Sequence, residues 1–378
     1  QIMYLKPQRP KSLLTRRTIT IFAIVTCSVL LVIALVYNGG KSAKENPVIS
    51  NQVRYLMQKQ YLKYRDVSTY QIGLIADRDS ASRVSDSKGN NKWTSVLKTG
   101  KLTREVDGTY SVEWGTDFKL KGKLNEGGRG LELSELINWD GMLLAPDDRS
   151  GIVYEILDRN AAAEKANVVP RFILPTGNGN MQKGCKVEWA LVFNNQLWLG
   201  SIGKEWTDPK GKVISDAPLW VKIIDRHEAK TEHRDFSHVY QLMRKKVGVE
   251  YPGYMIFEAG TFWHAKQKFV FAPRKVSTEP YDADKDERRG SNLFLIVDPY
   301  DYTNIETKTI GQKIPERGIS SIKFIPFRDE EVVVLKTMEL SNPETIETYM
   351  AVYNIVTGKV LMEETLVGKE KFEGVEFL

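Results

Sequence analysis

The stretch EWALVFNNQLWLGS, residues 188–201, contains the pattern that decides the fold. A charged residue precedes a short apolar run, Asn194-Asn195 follows, and a second apolar run returns. Two apolar runs separated by two such residues predict a β-hairpin. Similar short runs recur after residue 70, and the best candidate for a helix is HVYQLMRKKVG, residues 238–248. The sequence therefore predicts an all-β domain.

The same plan recurs along the chain, which indicates an internal repeat. Related segments are ELSELINWDGMLLAP from Glu132, EAGTFWHAKQKFVFAP from Glu258, SSIKFIPFRDEEVVVLK from Ser320, and a fifth opening, FEGVEFL, at 372–378. Their polar opening residues are spaced by 54, 70, 62 and 53 positions, and residues 70–378 comprise 309 residues. Units of about sixty residues predict a five-bladed β-propeller. The opening residues are Ser134, Glu188, Glu258, Ser320 and Glu373.

The opening residues also predict a metal site. In a propeller, the innermost strand of each blade would direct one of them toward the central channel. Three carboxylates close together repel one another and are costly to desolvate, so a cation would stabilise them. Oxygen ligands without His or Cys favour Ca²⁺ over zinc or copper, and a roomy channel favours Ca²⁺ over Mg²⁺. We therefore expect Ca²⁺ to bind these five residues.

The N-terminal region predicts a membrane anchor. Residues 18–37, TITIFAIVTCSVLLVIALVY, contain no charged residue, and a helix rising ~1.5 Å per residue would cross a hydrocarbon core of roughly 30 Å. Five basic residues precede this stretch and two follow it, which favours a cytoplasmic tail at 1–17, a transmembrane signal anchor at 18–37 and type II topology. Residues 38–69 indicate a polar stem with one short amphipathic helix. A cleaved signal peptide is the alternative.

Charge and composition exclude several classes of protein. The chain of 378 residues has a net charge of +6, but residues 1–44 contain seven basic and no acidic residues. The remaining 47 Lys and Arg nearly balance 48 Asp and Glu, which argues against a basic nucleic-acid-binding domain. Hydrophobic residues make up 42% of the chain, too many for a disordered protein. Cys185 is the single cysteine beyond the predicted anchor, so we expect no disulfide framework.

Ten motifs between residue 70 and residue 378 resemble one known family. The motifs are IADRDSASR (75–83), GRGLELSEL (128–136), PDDRSGIVYEI (146–156), KGCKVEWA (183–190), GKEWT (203–207), YPGYMIFEA (251–259), FAPRK (271–275), DERRGSNL (286–293), GISSIKFIP (318–326) and FEGVEFL (372–378). Over these residues the chain is similar to the soluble calcium-activated nucleotidases, or apyrases. The resemblance implies a five-bladed propeller with a central Ca²⁺ that hydrolyses nucleoside di- and triphosphates, and it assigns calcium binding to the same five opening residues. One departure is GNGN at 177–180, where the family has a more acidic stretch.

Hydrolysis of a phosphoanhydride needs neutralised phosphoryl oxygens, a positioned water and a proton acceptor. Asp148 could instead shape a turn, and Asp77 could cap a strand. Arginine binds phosphate through two parallel hydrogen bonds and lysine supplies a point charge. Trp206 could stack on a base or pack within a blade. The predicted catalytic residues are Asp77, Asp79, Glu132 and Asp148. The predicted substrate-binding residues are Arg129, Arg149, Lys204, Trp206 and Arg274.

The expected function is Ca²⁺-dependent hydrolysis of UDP, GDP and ADP, and of nucleoside triphosphates. With the predicted anchor, this would occur in the lumen of the ER or Golgi, in support of glycosylation. One alternative is a secreted apyrase acting on extracellular ATP and ADP. Another is a non-catalytic, Ca²⁺-stabilised propeller that binds a partner. The expected partners are nucleotides and the membrane, with no nucleic acid; a homodimer is one open alternative for the oligomeric state.

Overall fold

The computed structural model describes residues 68–85, 89–208, 212–226 and 230–378. The predicted tail (1–17), the predicted anchor (18–37) and the predicted stem up to residue 67 lie outside these ranges. Within them, no helix has the length and apolar character needed to cross a membrane. The first described strand begins at Thr69, one residue before the predicted start of the domain.

The described residues are mainly β-strands, because short apolar runs alternate with turn residues along most of the sequence. Two α-helices interrupt them, α1 (Ser237–Lys246) and α2 (Ala283–Asp286). The strands are β1 (Thr69–Asp77), β2 (Arg83–Ser85), β3 (Asn91–Arg104), β4 (Tyr110–Gly122), β5 (Ile137–Trp139), β6 (Met142–Pro146), β7 (Ile152–Asn160), β8 (Lys165–Ile173), β9 (Trp189–Phe193), β10 (Gln196–Gly200), β11 (Trp206–Thr207), β12 (Val213–Ser215), β13 (Trp220–Ile224), β14 (Thr231–Asp235), β15 (Tyr254–Trp263), β16 (Lys268–Ser277), β17 (Leu293–Val297), β18 (Ile305–Thr309), β19 (Arg317–Phe324), β20 (Glu331–Ser341), β21 (Glu344–Asn354), β22 (Val360–Gly368) and β23 (Lys371–Phe377).

Most of these strands form antiparallel runs of four. The runs are β23-β1-β3-β4, β5-β6-β7-β8, β9-β10-β13-β14, β15-β16-β17-β18 and β19-β20-β21-β22. A single parallel pairing between β4 and β8 joins the first two runs into one sheet. The first strands of the runs, β23, β5, β9, β15 and β19, contact one another in a closed cycle. The all-β prediction is thus confirmed, and the predicted helix at 238–248 corresponds to α1.

The first run is completed by the strand farthest from it in sequence. β23 pairs antiparallel with β1, and Lys371 lies opposite Asp77. Side chains alternate between the two faces of each strand. On one face, Leu74 of β1 and Val375 of β23 are buried in the same apolar cluster. The pairing therefore brings the last described strand against the first and fixes the charged residues at its end.

Aromatic side chains fill the largest described core cluster. Trp189, Phe193 and Phe271 are buried there, and the rings of Trp189 and Phe271 meet edge to face with centroids 5.1 Å apart. Helix α1 adds Val239 and Met243 from one face to the same cluster. These aromatic residues belong to β9 and β16, which also position the polar residues Glu188 and Arg274. Packing of the core therefore fixes where these polar residues lie.

Candidate active site

A polar cleft lies near the N-terminal ends of the inner strands β9, β15 and β23. It has a volume of about 780 Å³, and residues of β11, β16, β20, β21 and helix α2 also line it. Three of the predicted calcium ligands and three of the predicted substrate-binding residues share it. The predicted residues that line it are Glu188, Glu258, Glu373, Lys204, Trp206 and Arg274.

Irregular strand pairing orients three of the predicted calcium ligands. The register shifts at Glu258 in β15, at Ser320 in β19 and at Glu373 in β23. A β-bulge leaves its extra residue without a partner on the neighbouring strand and redirects the side chain. The bulges therefore separate these residues from the regular in-and-out alternation of the strands.

Arg274 joins two of the buried carboxylates. Its Nη1 lies 2.5 Å from Oε2 of Glu258 and 2.8 Å from Oε1 of Glu373. Its Nη2 lies 3.1 Å from Oε2 of Glu339. The arginine predicted to bind phosphate is thus held among carboxylates, and its guanidinium lines the cleft.

Two lysines connect the remaining acidic residues. Lys371 Nζ lies 2.6 Å from Oδ2 of Asp77, 2.7 Å from Oδ2 of Asp79 and 3.6 Å from Oε1 of Glu373. Lys186 forms ion pairs with Asp148 and with Glu188. Three of the four predicted catalytic carboxylates therefore share a lysine with a predicted calcium ligand, Asp77 and Asp79 with Glu373 and Asp148 with Glu188.

The fourth predicted catalytic residue, Glu132, lies beside the first two. Carboxylate oxygens of Asp77, Asp79 and Glu132 lie within 4.8 Å of one another. Arg129 Nε lies 2.9 Å from Oε1 of Glu132, and Arg129 Nη2 lies 3.3 Å from Oδ1 of Asp79. Arg129 therefore stabilises this acidic group from one side while Lys371 does so from the other.

The two predicted serine ligands are buried and support the neighbouring strands. Ser134 Oγ donates to the carbonyl of Val187 at 2.5 Å, and Ser320 Oγ donates to the carbonyl of Phe372 at 3.2 Å. Each carbonyl belongs to the residue directly before a cleft glutamate. The serines thus position the glutamates through the backbone, and their hydroxyl oxygens keep lone pairs that a metal could use.

The predicted substrate-binding residues separate into two groups. Lys204 Nζ lies 4.6 Å from the centre of the Tyr281 ring, and both residues line the cleft together with Trp206. Arg129 and Arg149 do not line the cleft. Arg129 contacts Glu132 and Asp79, and Nε of Arg149 lies 2.8 Å from Oε2 of Glu126. A phosphate contact by Arg149 stays a prediction that this geometry does not favour.

Burial dominates the acid–base properties of the site. It raises the pKa of Glu188 to about 7 and raises the pKa values of Glu373 and Asp148 well above their usual ranges, although neighbouring lysines oppose it. Burial also acts on Asp77, but there the charge and hydrogen bond of Lys371 outweigh it and bring the pKa below its usual value. An additional cation would stabilise the ionised forms of the raised carboxyls.

The donor set fits calcium. The described residues that line the cleft include seven carboxylates and five Lys or Arg side chains, so a divalent cation would balance the charge. Glu188, Glu258 and Glu373 offer oxygen ligands, the type that Ca²⁺ prefers. One buried oxygen, Oδ1 of Asp148, has no hydrogen-bond partner among the described residues. These observations are compatible with an ion near the three glutamates.

Three residues of this network were not predicted from the sequence. Lys186 and Lys371 each lie two positions before a cleft glutamate, in KVE (186–188) and KFE (371–373). This repeated Lys-x-Glu spacing could have identified both lysines. For Glu339, which contacts Arg274, the sequence contains no comparable signal.

Comparisons with known proteins find one family. The sequence model of the apyrase family matches residues 78–378. The chain is 39% identical over 311 residues to soluble calcium-activated nucleotidase 1 of Rattus norvegicus, covering 82% of this chain and 74% of that protein. It is 36% identical over 313 residues to an apyrase of Cimex lectularius, covering 82% of each chain. It is 32% identical over 349 residues to apyrase apy-1 of Caenorhabditis elegans, covering 90% and 93%.

The all-β fold and these matches define a nucleotide-hydrolysing enzyme. The chain belongs to the apyrase family, because the family match covers most of its length and several relatives exceed 30% identity. The resemblance seen in the sequence motifs is therefore confirmed.

Replacing Lys371 tests its role as a buried counter-ion. In Lys371→Met, Asp77 loses a partner at 2.6 Å and Asp79 one at 2.7 Å. Because buried carboxylates without a partner are strongly unfavourable, we expect the free energy of unfolding to fall by about 3–5 kcal/mol in chelator. Urea unfolding would measure this change. The exposed Lys369 supplies the control, Lys369→Met, expected to change stability by less than about 0.5 kcal/mol; equal effects of the two substitutions would contradict the prediction.

Proposed function

We propose that this enzyme hydrolyses nucleoside diphosphates, UDP and GDP and also ADP, and nucleoside triphosphates in a Ca²⁺-dependent reaction that releases inorganic phosphate. The observation that carries the proposal is the cleft in which buried carboxylates adjoin Arg274, Lys204 and Lys371. Such a mixed lining suits a polyphosphate with a bound cation. Membership of the apyrase family favours this interpretation over a non-catalytic propeller.

A five-bladed propeller is the architecture that would place this cleft at one end of a central channel. Five runs of four antiparallel strands and the closed cycle of contacts between their first strands support it. In that arrangement β23 and β1 would close the ring within one blade. Residues 134, 188, 258, 320 and 373 would then lie around a common axis.

Calcium would be held by Glu188, Glu258 and Glu373, with the hydroxyls of Ser134 and Ser320 as further oxygen ligands. When bound, it would supply positive charge to the phosphoryl oxygens of the substrate. Arg274 and Lys204 would bind phosphate oxygens from the cleft wall. Trp206 would offer a ring on which the base stacks.

Asp148 is the best candidate for the general base among the four carboxylates. Lys371 holds Asp77 and Asp79, and Arg129 holds Glu132. Lys186 pairs with Oδ2 of Asp148, but Oδ1 of Asp148 has no hydrogen-bond partner among the described residues. Its pKa is raised by burial, toward the range in which a carboxylate accepts a proton efficiently. Water would attack the terminal phosphorus, its proton would pass to Asp148, and the bridging oxygen would leave with the shorter nucleotide.

Substitution of the base should reduce turnover without removing substrate binding. For Asp148→Asn we expect kcat to fall by about 10²–10⁴-fold and KM to change little, because the amide cannot accept the proton. Steady-state kinetics of phosphate release from UDP would measure both constants. The control is Asp117→Asn, at an exposed ion pair with Lys98. Full turnover in Asp148→Asn, combined with loss in Asp77→Asn, would assign the base to Asp77 instead.

Calcium dependence is tested on a nucleotide panel with Ca²⁺, Mg²⁺ or chelator. We expect phosphate release from UDP, GDP and ADP only with Ca²⁺. Glu188→Gln should weaken calcium binding in calorimetry by at least about tenfold, since one charged ligand becomes neutral. Glu306→Gln, at an exposed position in β18, should bind calcium normally. Undiminished calcium binding by Glu188→Gln would remove this residue from the site, and activity in chelator would refute calcium dependence.

The location of the enzyme rests on residues outside the described ranges. The apolar stretch 18–37 and the basic residues before it support a type II membrane protein whose catalytic domain lies in the lumen of the ER or Golgi. Protease treatment of sealed microsomes should then leave the catalytic domain intact while removing a tag at residue 1. Recovery of a chain beginning near residues 40–45 from culture medium would support the secreted alternative, and co-sedimentation of two chains would support a homodimer.

A further inference from the structure

Basic side chains of the cleft differ in whether carboxylates pair with them. Lys186, Arg274 and Lys371 each form ion pairs with at least two carboxylates. Their positive charge is therefore largely neutralised by the protein itself. The other two basic residues of the cleft, Lys204 and Lys275, form no ion pair with a carboxylate in the part of the chain that the structure describes.

Both of these lysines are buried against the cleft wall and keep hydrogen-bonding capacity. Each residue is only 6% exposed. Nζ of Lys275 donates to the carbonyl of Glu287 at 3.0 Å, and Nζ of Lys204 donates to the carbonyl of Glu205, also at 3.0 Å. Because an ammonium group has three N–H donors, each lysine keeps two donors without a hydrogen-bond partner among the described residues. Such donors would suit an anion bound in the cleft.

The charged forms of Lys204 and Lys275 are destabilised by their surroundings. Burial, together with the charge of Arg274, lowers the pKa of Lys275 to about 8, and burial also lowers the pKa of Lys204. Burial acts on Lys186 and Lys371 too, but their carboxylate partners outweigh it and raise their pKa values well above the usual range. A negatively charged ligand beside Lys204 and Lys275 would stabilise their charged forms in the same way.

Lys275 lies toward the proposed calcium ligands. It directly follows Arg274 in β16, and the guanidinium of Arg274 contacts Glu258 and Glu373. Arg274 has no partner in the pairing of β15 with β16, and this bulge allows both neighbours to face the cleft. The charge of Glu258 also acts on the Lys275 ammonium. An anion bound by Lys275 would therefore adjoin the site proposed for calcium.

Lys204 lies at the aromatic end of the cleft. Its Nζ lies 4.6 Å from the centre of the Tyr281 ring, and Trp206 is two positions further along the chain. Trp206 is the residue proposed to stack on the base. An anion bound by Lys204 would therefore be close to the nucleoside, whereas one bound by Lys275 would be close to the reacting phosphorus.

We propose that Lys275 binds the terminal phosphoryl group of a nucleoside diphosphate, while Lys204 binds the phosphate attached to the nucleoside. The proposal rests on the nucleotide hydrolysis proposed above and assigns a substrate-binding role to Lys275. A nucleoside monophosphate has no group to offer to Lys275. The cleft would therefore bind the diphosphate more tightly than its monophosphate product, which would favour product release.

Calorimetry on the full chain in detergent, with Ca²⁺ present, tests the assignment. The ligands are UMP and an analogue of UDP in which a methylene group replaces the bridging oxygen, so that it resists hydrolysis. In Lys275→Met we expect affinity for the analogue to fall by about 10–100-fold, because charge-assisted hydrogen bonds are lost. Affinity for UMP should change by less than about twofold. Lys204→Met should weaken both ligands. Lys266→Met, exposed in the turn between β15 and β16, is the matched control and should weaken neither.

Retained binding of UMP shows that a variant is folded, and Lys275→Gln is tested in parallel so that the result does not depend on one substitution. Unchanged affinity for the analogue in both variants, or an equal loss for both ligands, would overturn the proposal. So would a lower Tm with an unchanged preference for the analogue, which would make Lys275 a structural counter-ion of Asp286. Phosphate release from UDP by the unmodified chain is measured separately. Its absence would refute the hydrolysis, whereas the calorimetric comparison decides the role of Lys275.

Discussion

The charge balance of buried carboxylates is the constraint on which the rest of the structure depends. Glu188 directly precedes β9, Glu258 lies within β15 and Glu373 lies within β23, and all three side chains are almost completely buried. Each would be unfavourable alone, so Lys186, Arg274 and Lys371 lie beside them. The apolar core fixes the positions of the strands, and the strands fix the positions of these charges. Folding and site formation are therefore one process, since neither the core nor the ion pairs can form correctly in a different strand register.

Bulges reconcile this charge network with regular β-sheets. A regular strand directs alternate residues to opposite faces of the sheet. Without a bulge, a carboxylate that the site requires would therefore share a face with the apolar residues of the core. The register shifts at Glu258, Ser320 and Glu373 redirect single residues while the flanking residues remain in the core. The same strands thus support an apolar interior over most of their length and a polar cleft at one end.

Much of the fold could be predicted from the sequence, because short apolar runs and turn residues are local signals. The spacing of the unit openings identified Glu188, Glu258 and Glu373, which line one cleft. Local signals do not report which charges meet across sheets. Arg149 was grouped with phosphate-binding residues because of its motif, but it pairs with Glu126. The link between Arg274 and Glu339, 65 positions apart, depends on the register of two different sheets and has no sequence pattern.

Pairing of β23 with β1 has a consequence for biosynthesis. Lys371 and Glu373 belong to β23, whereas Asp77 belongs to β1, nearly three hundred residues earlier. A nascent chain can form the intermediate sheets as they emerge, but these three charged groups cannot meet until residues 371–377 have left the ribosome and joined β1. Catalytic competence would therefore be acquired only after β23 has emerged and paired with β1. A chain interrupted before that strand would contain most of the fold and have an incomplete site.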